Sequence, residues 1–474
     1  MAGAVQHAHW SSRWTFLLAA VGSAVGLGNI WKFPYEAGES GGGAFVLVYL
    51  AFVFAVGLPV LIAELSIGRR GQLSPIGSME KIAKDEGRSK GWSLIGWSGV
   101  VGGFVVLSFY SVVGGWVLAY LIKAFSGFGG YDAAMSTATF GEFITDPINP
   151  VISHFVFLAI TIGIVARGVQ GGLEKAVTFL MPALFVLLLV LVIYSGVTAD
   201  FRGAINFLFN PDFSKLNLNT ILQALGLAFF SLSLALGSIM TYGSYLTRDM
   251  NIPRSAAMIA GADSAVAIMA GLAIFPIVFA YGLNPGQSVG LVFTTLPIAF
   301  GQMQFGVVFG SLFFFLLAVA AVTSAISLLE PAVSYIEERT GIDRKKVAIY
   351  IGGATFFLGT LSAWGQSGNI LGDIKILGLD IMGLKDYITN NIMMPLGGMF
   401  IAIFVGWFVS RKSMLDELTM SDTSFKIWYF LLRFVSPIAI GAVFISIIWD
   451  TVLRDLVACT GLGDLMGVIC AAPM

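Results

Sequence analysis

Charge is what this chain has least of. Only 11% of its 474 residues are Asp, Glu, Lys or Arg, 57% are hydrophobic, and the mean hydropathy is +0.88. Soluble domains carry roughly 25% charged residues. A deficit spread over the whole length excludes a soluble globular protein and points to a polytopic membrane protein, whose first partner is the lipid bilayer. The net charge of −1 supplies no field for nucleic acid, so no such partner is expected. Histidine is scarce: His7, His9 and His154 are the only three, and they lack metal-ligand spacing. No Walker A sequence occurs, which argues against an ATP-driven pump. No nucleophile–base pair or metal-binding set appears, so an enzyme is not expected, nor an organic cofactor. Cysteine is nearly missing. Cys459 and Cys470 both sit close to the C-terminal end.

What is abundant is apolar sequence in long runs. Segmenting by about 20 residues gives roughly eleven spans, centred near Ala24, Phe54, Tyr110, Leu158, Leu187, Ser233, Ala267, Val319, Thr355, Ile403 and Ile440. No cleavable leader is expected: Arg13 is the first charged residue, and the apolar stretch behind it is too long for a signal-peptide core. The connections alternate in charge. Arg69, Arg70, Lys81, Lys84, Arg88 and Lys90 separate the second and third runs, and Arg339, Arg344, Lys345 and Lys346 follow the eighth. The alternate loops are longer yet poorer in Lys and Arg. Positive residues stay inside, so the N-terminus is expected in the cytoplasm and, with an odd span number, the C-terminus outside. There Cys459 and Cys470 are permitted a disulfide; two unpaired thiols in a loosely held tail are the alternative. Outer loops hold interfacial helix candidates at Asn206 to Phe213 and Val289 to Phe300.

Two of the runs break in the middle. The first contains Gly22-Ser23-Ala24-Val25-Gly26-Leu27-Gly28-Asn29, and the sixth contains Phe229-Phe230-Ser231-Leu232-Ser233-Leu234-Ala235-Leu236-Gly237. Backbone freed by such a break cannot face hydrocarbon, where each unpaired N–H or C=O costs several kcal/mol. It must be buried in protein or line a cavity. An unwound turn offers carbonyls to Na⁺ and free N–H groups to a carboxylate. Gly22 and Gly26 also form a small-xxx-small packing pattern, so helix packing is the competing reading. Asn29 favours a site, because a buried amide needs partners. The breaks open two successive sets of five spans. Five is odd, so the second set is inverted relative to the first, as in secondary transporters.

Ionisable residues inside spans mark function by default. Asp263 in the seventh run suggests cation or proton chemistry. Glu64 in the second suggests a carboxylate hydrogen-bonded to the backbone of a broken helix. Glu330, just before Pro331 in the eighth, is open between the two. Ala320, Thr323 and Ser324 share a helix face; their oxygens suit Na⁺, although hydroxyls often bond back to the preceding turn. Tyr110 presents a phenol to a ligand or simply packs.

Together these residues resemble the neurotransmitter:sodium symporter family in its bacterial amino-acid branch. The resemblance runs from about Trp10 to the last span. Its carriers are the run from Gly22 to Pro34, Gly41 to Phe45, Glu64 to Arg69, Phe229 to Ser233, and Thr323-Ser324. It implies an all-α integral membrane protein with the LeuT fold, in which two inverted repeats of five helices each open on a helix broken at mid-membrane. One membrane transport domain over 1–474 is expected, with a first repeat at 10–200, a second at 201–412, and an extra helix and outer tail at 413–474.

The resemblance also implies a site. One Na⁺ would be held by Ala24, Asn29, Ser231, Asp263 and the substrate carboxylate. A second would be held by Gly22, Val25, Ala320, Thr323 and Ser324. The substrate, a small zwitterion, would touch Ser23, Ala24, Leu27, Gly28, Val106, Tyr110, Phe230, Ser231, Ser233, Leu236, Ser324 and Leu328. Monoamine carriers of the family have an aspartate where this chain has Gly26, so the substrate should bring its own carboxylate. Asp263 would supply the negative charge that chloride supplies elsewhere in the family, with proton counter-transport an option for the return step.

Gating falls to Phe230 on the outer side and Tyr245 on the inner, with Glu64 supporting the break. The outer basic residue is Lys32, without the planar fork of arginine; its acid falls at Thr389 or Asn390, with Asp386 a turn away. The inner pair falls at His7 and Glu338, and a histidine there would weaken above pH ~6.5. The expectation is therefore a chloride-independent symporter of the bacterial inner membrane. It would import a neutral, hydrophobic L-amino acid with two Na⁺, as a monomer or weak dimer. Taurine or a β- or γ-amino acid is the same-fold alternative, and a membrane sensor or channel the alternative of another class.

Overall fold

The structure, a computed structural model, describes residues 9–283, 290–368, 370–376 and 378–448. Cys459, Cys470 and His7 lie outside the described residues. Among these residues the chain is helical throughout, apart from one isolated bridge between Ile376 and Leu379. Eight helices are long and apolar enough to cross a bilayer alone, and two bent pairs raise the number to ten. The sixth apolar run adds two shorter pieces, Leu218–Ser231 and Ser238–Ser244, on either side of its break.

Burial separates an inner set of helices from an outer one. The apolar window of Gly306–Thr340 is 89% buried and that of Lys90–Ser126 is 72% buried. These two pack along each other at the centre. Val169–Thr198 and Asp422–Ser446 are only 28% and 22% buried, and they turn Phe179, Ile193, Val197, Ile438 and Ile445 outward. Exposed apolar side chains in that number would be costly in water; against lipid they cost nothing.

The first run is two helices, Arg13–Ala24 and Gly28–Glu39, bent by 49°. Ser12 starts it with a reciprocal cap: its hydroxyl accepts from Thr15 N at 3.2 Å, and Thr15 Oγ1 accepts from Ser12 N at 3.2 Å. The ladder stops at Val25, which is extended (φ −73°, ψ 108°), and resumes through a wide turn at Gly28–Lys32. The side-chain carbonyl of Asn29 accepts the Gly26 N–H at 3.1 Å, replacing a bond that the break removes.

The sixth run breaks harder. Ser233, Ala235 and Gly237 all have positive φ, at 53°, 62° and 76°. Such angles in non-glycine residues cost about 1–3 kcal/mol each and persist only where surroundings hold them. Here Glu64 Oε1 accepts the Ala235 N–H at 2.7 Å, and Ser233 Oγ donates to the Ser23 carbonyl at 2.8 Å. The two breaks are thus laid against each other.

Helix Ala133–Thr145 was not foreseen in the hydropathy pattern; Asp132 caps it by accepting from Met135 N at 2.7 Å. The expected interfacial helices are shifted. One runs Phe201–Phe209, because Asp200 caps it and Pro211 disfavours helix at Asn210. The other is continuous over Leu291–Gln302.

Glycine sets the closest crossing. A Cβ on Gly68 would lie 2.1 Å from the Met240 carbonyl oxygen, and one on Gly243 would lie 2.7 Å from that of Leu65. The second run and the inner half of the sixth therefore touch backbone to backbone. Gly68→Ala is expected to lower the melting temperature of the detergent-purified protein, since overpacking typically costs about 1–3 kcal/mol. Gly261→Ala, which meets nothing within 4 Å, should leave it unchanged or raise it.

Candidate functional site

Asp263 projects from Ile252–Ala280 into the space beside the two breaks and is fully buried. Asn29 Nδ2 donates to its Oδ1 at 2.7 Å. Ser231 Oγ and Tyr49 OH lie 3.0 and 3.2 Å from its Oδ2. All three partners are neutral. Among the described residues no Lys, Arg or His pairs with this carboxylate. A buried anion with neutral donors only is costly, and a small cation beside it restores neutrality. The donor set, all oxygen and amide, fits a hard ion such as Na⁺.

Of the four residues expected at this cation, the structure brings Asn29, Ser231 and Asp263 into direct contact, while Ala24 lies on the wall of the adjoining cavity. Sequence reasoning missed Tyr49. Its phenol also lies 3.0 Å from Ser231 Oγ. The available signal was one hydroxyl-bearing ring inside an otherwise apolar run, which when buried must find a partner.

The second expected set also converges. Ser324 Oγ lies 3.4 Å from the Gly22 and Ser23 carbonyls and 3.3 Å from that of Val25. Thr323 Oγ1 bonds back to its own helix, at 3.0 Å from Ala320 O and 3.2 Å from Val319 O. One hydroxyl therefore reaches across to the break and the other does not. These oxygens are uncharged, and they too suit Na⁺ rather than a softer metal.

Between the two sets lies a small cavity. Eleven of the twelve expected substrate contacts line it: Ser23, Ala24, Leu27, Gly28, Val106, Tyr110, Phe230, Ser233, Leu236, Ser324 and Leu328. Ser231 faces Asp263 instead. Gly26 is the remaining wall residue. A Cβ there would lie 2.4 Å from Ser324 Oγ and 3.1 Å from Tyr110 OH. The cavity admits the centre of a water-sized sphere over only about 20 Å³, enough for a water and too little for an amino acid. Its occupancy by anything larger requires the walls to part.

A vestibule of about 470 Å³ lies above it and shares Leu27, Tyr110 and Phe230 with it. Those three residues form the partition. The Phe230 ring sits over Gly28, whose Cβ would be 3.0 Å from ring carbon Cδ1. Lys32 Nζ lies 5.0 Å from the same ring's centre, a cation–π contact.

The two positions expected opposite Lys32 bond within their own helix. Thr389 Oγ1 bonds to its own helix at Lys385 O, and Asn390 donates its amide to Asp386 Oδ1. Two carboxylates, Asp386 and Asp380, share the vestibule wall with Lys32.

Tyr245, the expected inner gate, is buried. Its hydroxyl donates to Glu330 Oε1 at 2.7 Å, and Glu330 pairs in turn with Arg344. Arg344 also holds Glu337 at 3.0 Å. Trp10 N and Nε1 donate to the carbonyls of Tyr245 and Tyr242, at 3.2 and 3.0 Å, satisfying the end of the inner half-helix. Glu338, expected to pair with His7, which lies outside the described residues, accepts from Ser74 N at 2.6 Å. Glu330 and Glu337, two turns apart, face Arg344, whereas Glu338 sits about 100° further round the helix. Glu330 is the acid joined to Tyr245. Glu64 serves the Ala235 backbone, as described above.

The profile described as the sodium:neurotransmitter symporter family matches residues 7–138 and 139–456. An uncharacterized sodium-dependent transporter, YhdH of Bacillus subtilis, is 40% identical over 93% of this chain and 97% of its own length. An uncharacterized sodium-dependent transporter of Haemophilus influenzae is 34% identical over 93% of this chain and 98% of its own. The crystal structure of MhsT in complex with L-phenylalanine superposes with a TM-score of 0.86 at 44% identity, covering 93% of this chain and 99% of that one. The chain belongs to the sodium:neurotransmitter symporter family.

Proposed function

We propose that this sodium-dependent transporter imports a neutral L-amino acid with an apolar side chain, driven by two Na⁺ and without chloride. The observation that carries this is the pairing of Asp263, a buried anion with neutral partners only, with Gly26, where no protein carboxylate reaches the cavity. A cation beside Asp263 and a carboxylate brought by the substrate complement each other. Leu27 N and Tyr110 OH, 3.5 Å apart, are donors for that carboxylate. Val106, Leu236 and Leu328 offer an apolar surface to the side chain, and MhsT has been crystallised with L-phenylalanine.

The expected residues then take these roles. Asn29, Ser231 and Asp263, with the Ala24 carbonyl, bind one Na⁺. The carbonyls of Gly22, Val25 and Ala320 and the hydroxyls of Thr323 and Ser324 bind the other. The charge bias of the loops puts the N-terminus inside, so the vestibule opens outward and the Trp10–Tyr245–Glu330–Arg344 cluster closes the cytoplasmic side. In a bacterium this is the inner membrane. Two five-helix repeats, 10–200 and 201–412, would rock about the breaks. The whole site lies in one chain, so a monomer suffices.

A thermal-shift screen of the amino acids with and without Na⁺ tests the reading. Apolar L-amino acids should stabilise the protein in Na⁺ and not in K⁺; at a hundred times Kd the linkage is about 2.7 kcal/mol. Stabilisation by taurine or γ-aminobutyrate alone would replace the substrate class, and no sodium-dependent shift with any zwitterion would contradict the transporter site.

Asp263→Asn removes the internal anion. In proteoliposomes its uptake should fall at least tenfold in gluconate and recover in chloride, while the unmodified protein is indifferent to the anion. Uptake by Asp263→Asn that ignores chloride would remove this carboxylate from the anion role.

A further inference from the structure

Outside the transport pathway, one groove of about 500 Å³ opens between Lys90–Ser126 and Ile381–Phe408. It lies at the end of these helices that carries the basic loop. Its walls are Trp92, Leu94, Ile95, Leu396, Gly397 and Phe400. Leu94 is 70% exposed and Phe400 41% exposed, so the groove is open on the side that faces the bilayer. Gly397 forms the floor: its bare Cα lets Ala235, in the sixth-run break, come so close that a Cβ on residue 397 would be 2.8 Å from that of Ala235. Along the axis, Gly91 to Ser98 spans about 10 Å, the depth of an upper acyl chain.

The mouth of the groove is basic. Arg88 Nε donates to the Phe408 carbonyl at 3.0 Å, and its guanidinium lies 5.6 Å from the Phe408 ring centre. This fixes a cation at the groove's end. Trp92 packs between that end and the groove, its ring tilted against Phe408 at 4.7 Å and Phe404 at 5.1 Å. Lys90, exposed, follows two residues on, where the long helix begins. The nearby acids are Asp85 and Glu86, and Glu86 is already taken by Arg70 at 2.8 Å and Ser410 N at 3.0 Å.

We propose that this groove binds an anionic phospholipid, its acyl chain lying along Trp92, Ile95 and Gly397 and its phosphate held between Arg88 and Lys90. The charge at the mouth selects the headgroup; the apolar groove alone would accept any lipid. Basic residues at the membrane surface attract anionic lipid by about fivefold in affinity for each charge. An interfacial tryptophan beside them is placed where its amphipathic ring is favoured.

Trp92 makes the site readable. The purified protein and Trp92→Phe are reconstituted with dibrominated phosphatidylglycerol or dibrominated phosphatidylcholine, and the difference in tryptophan emission reports lipid against Trp92. The expected result is quenching by phosphatidylglycerol at a several-fold lower mole fraction than by phosphatidylcholine. Arg88→Gln and Lys90→Gln should each reduce that preference by about fivefold. Lys90→Gln alters only an exposed side chain at the start of the long helix, so it decides the matter if Arg88→Gln does not fold. Ser98→Phe, which narrows the groove without changing charge, should weaken quenching by both lipids. Equal quenching by the two lipids, a preference that survives both charge substitutions, or indifference to Ser98→Phe would overturn the proposal.

Discussion

A carboxylate buried without a counter-charge, where two interrupted helices meet, is the constraint on which the rest of this structure depends. Asp263 is held by an amide, a hydroxyl and a phenol. They fix its position and leave its charge. In an interior of low dielectric that charge is tolerable only if a cation or proton arrives. The surrounding groups, the Asn29 amide of the first run, the Ser231 hydroxyl of the sixth and the Tyr49 phenol of the second, suit a hard ion. The small residues at the breaks are what allow the backbone to come so close.

The sixth-run break is itself under strain, and the structure holds it from both sides. Three left-handed residues within five positions of the sixth run are maintained by Glu64 behind and by Ser23 in front. The Ser23 hydroxyl donates onward to Ser327 at 2.8 Å, and Ser238 donates to the Ser327 carbonyl at 2.8 Å. The first, sixth and eighth runs are therefore tied by one short chain of hydrogen bonds through the cavity wall. A ligand that enters the cavity acts on all three at once. This couples occupancy to helix arrangement without any long-range device, because the coupled elements already touch.

Much of this was legible in the sequence because it is local. Hydropathy marks the runs, and Gly22 to Asn29 and Phe229 to Gly237 mark the breaks within them. Asp263 and Glu64 stand out because carboxylates are rare in apolar runs. The parts that were not legible are relations across space. Tyr49 reads as one more aromatic in a lipid-length stretch; only the packing of the second run against the seventh aims its phenol at Asp263. Glu330, Glu337 and Glu338 lie on one helix, and which of them face Arg344 depends on rotation about its axis. Asp386 and Asn390 are one turn apart, so a small error of register moves the acid from one to the other. Ala133–Thr145 was hidden because it is short, carries Ser, Thr and Glu, and adjoins the more apolar run at Asn149–Val165.

The central claim is that the substrate's own carboxylate completes a sodium site whose protein charge is Asp263. Equilibrium binding of radiosodium to the purified protein tests it, measured alone, with an amino acid that stabilises the protein, and with the carboxamide of that amino acid. Coupling between ligands is reciprocal. The account predicts that the acid raises sodium affinity at least tenfold and that the carboxamide does not. Equal enhancement by the carboxamide, or sodium binding indifferent to both, would contradict it.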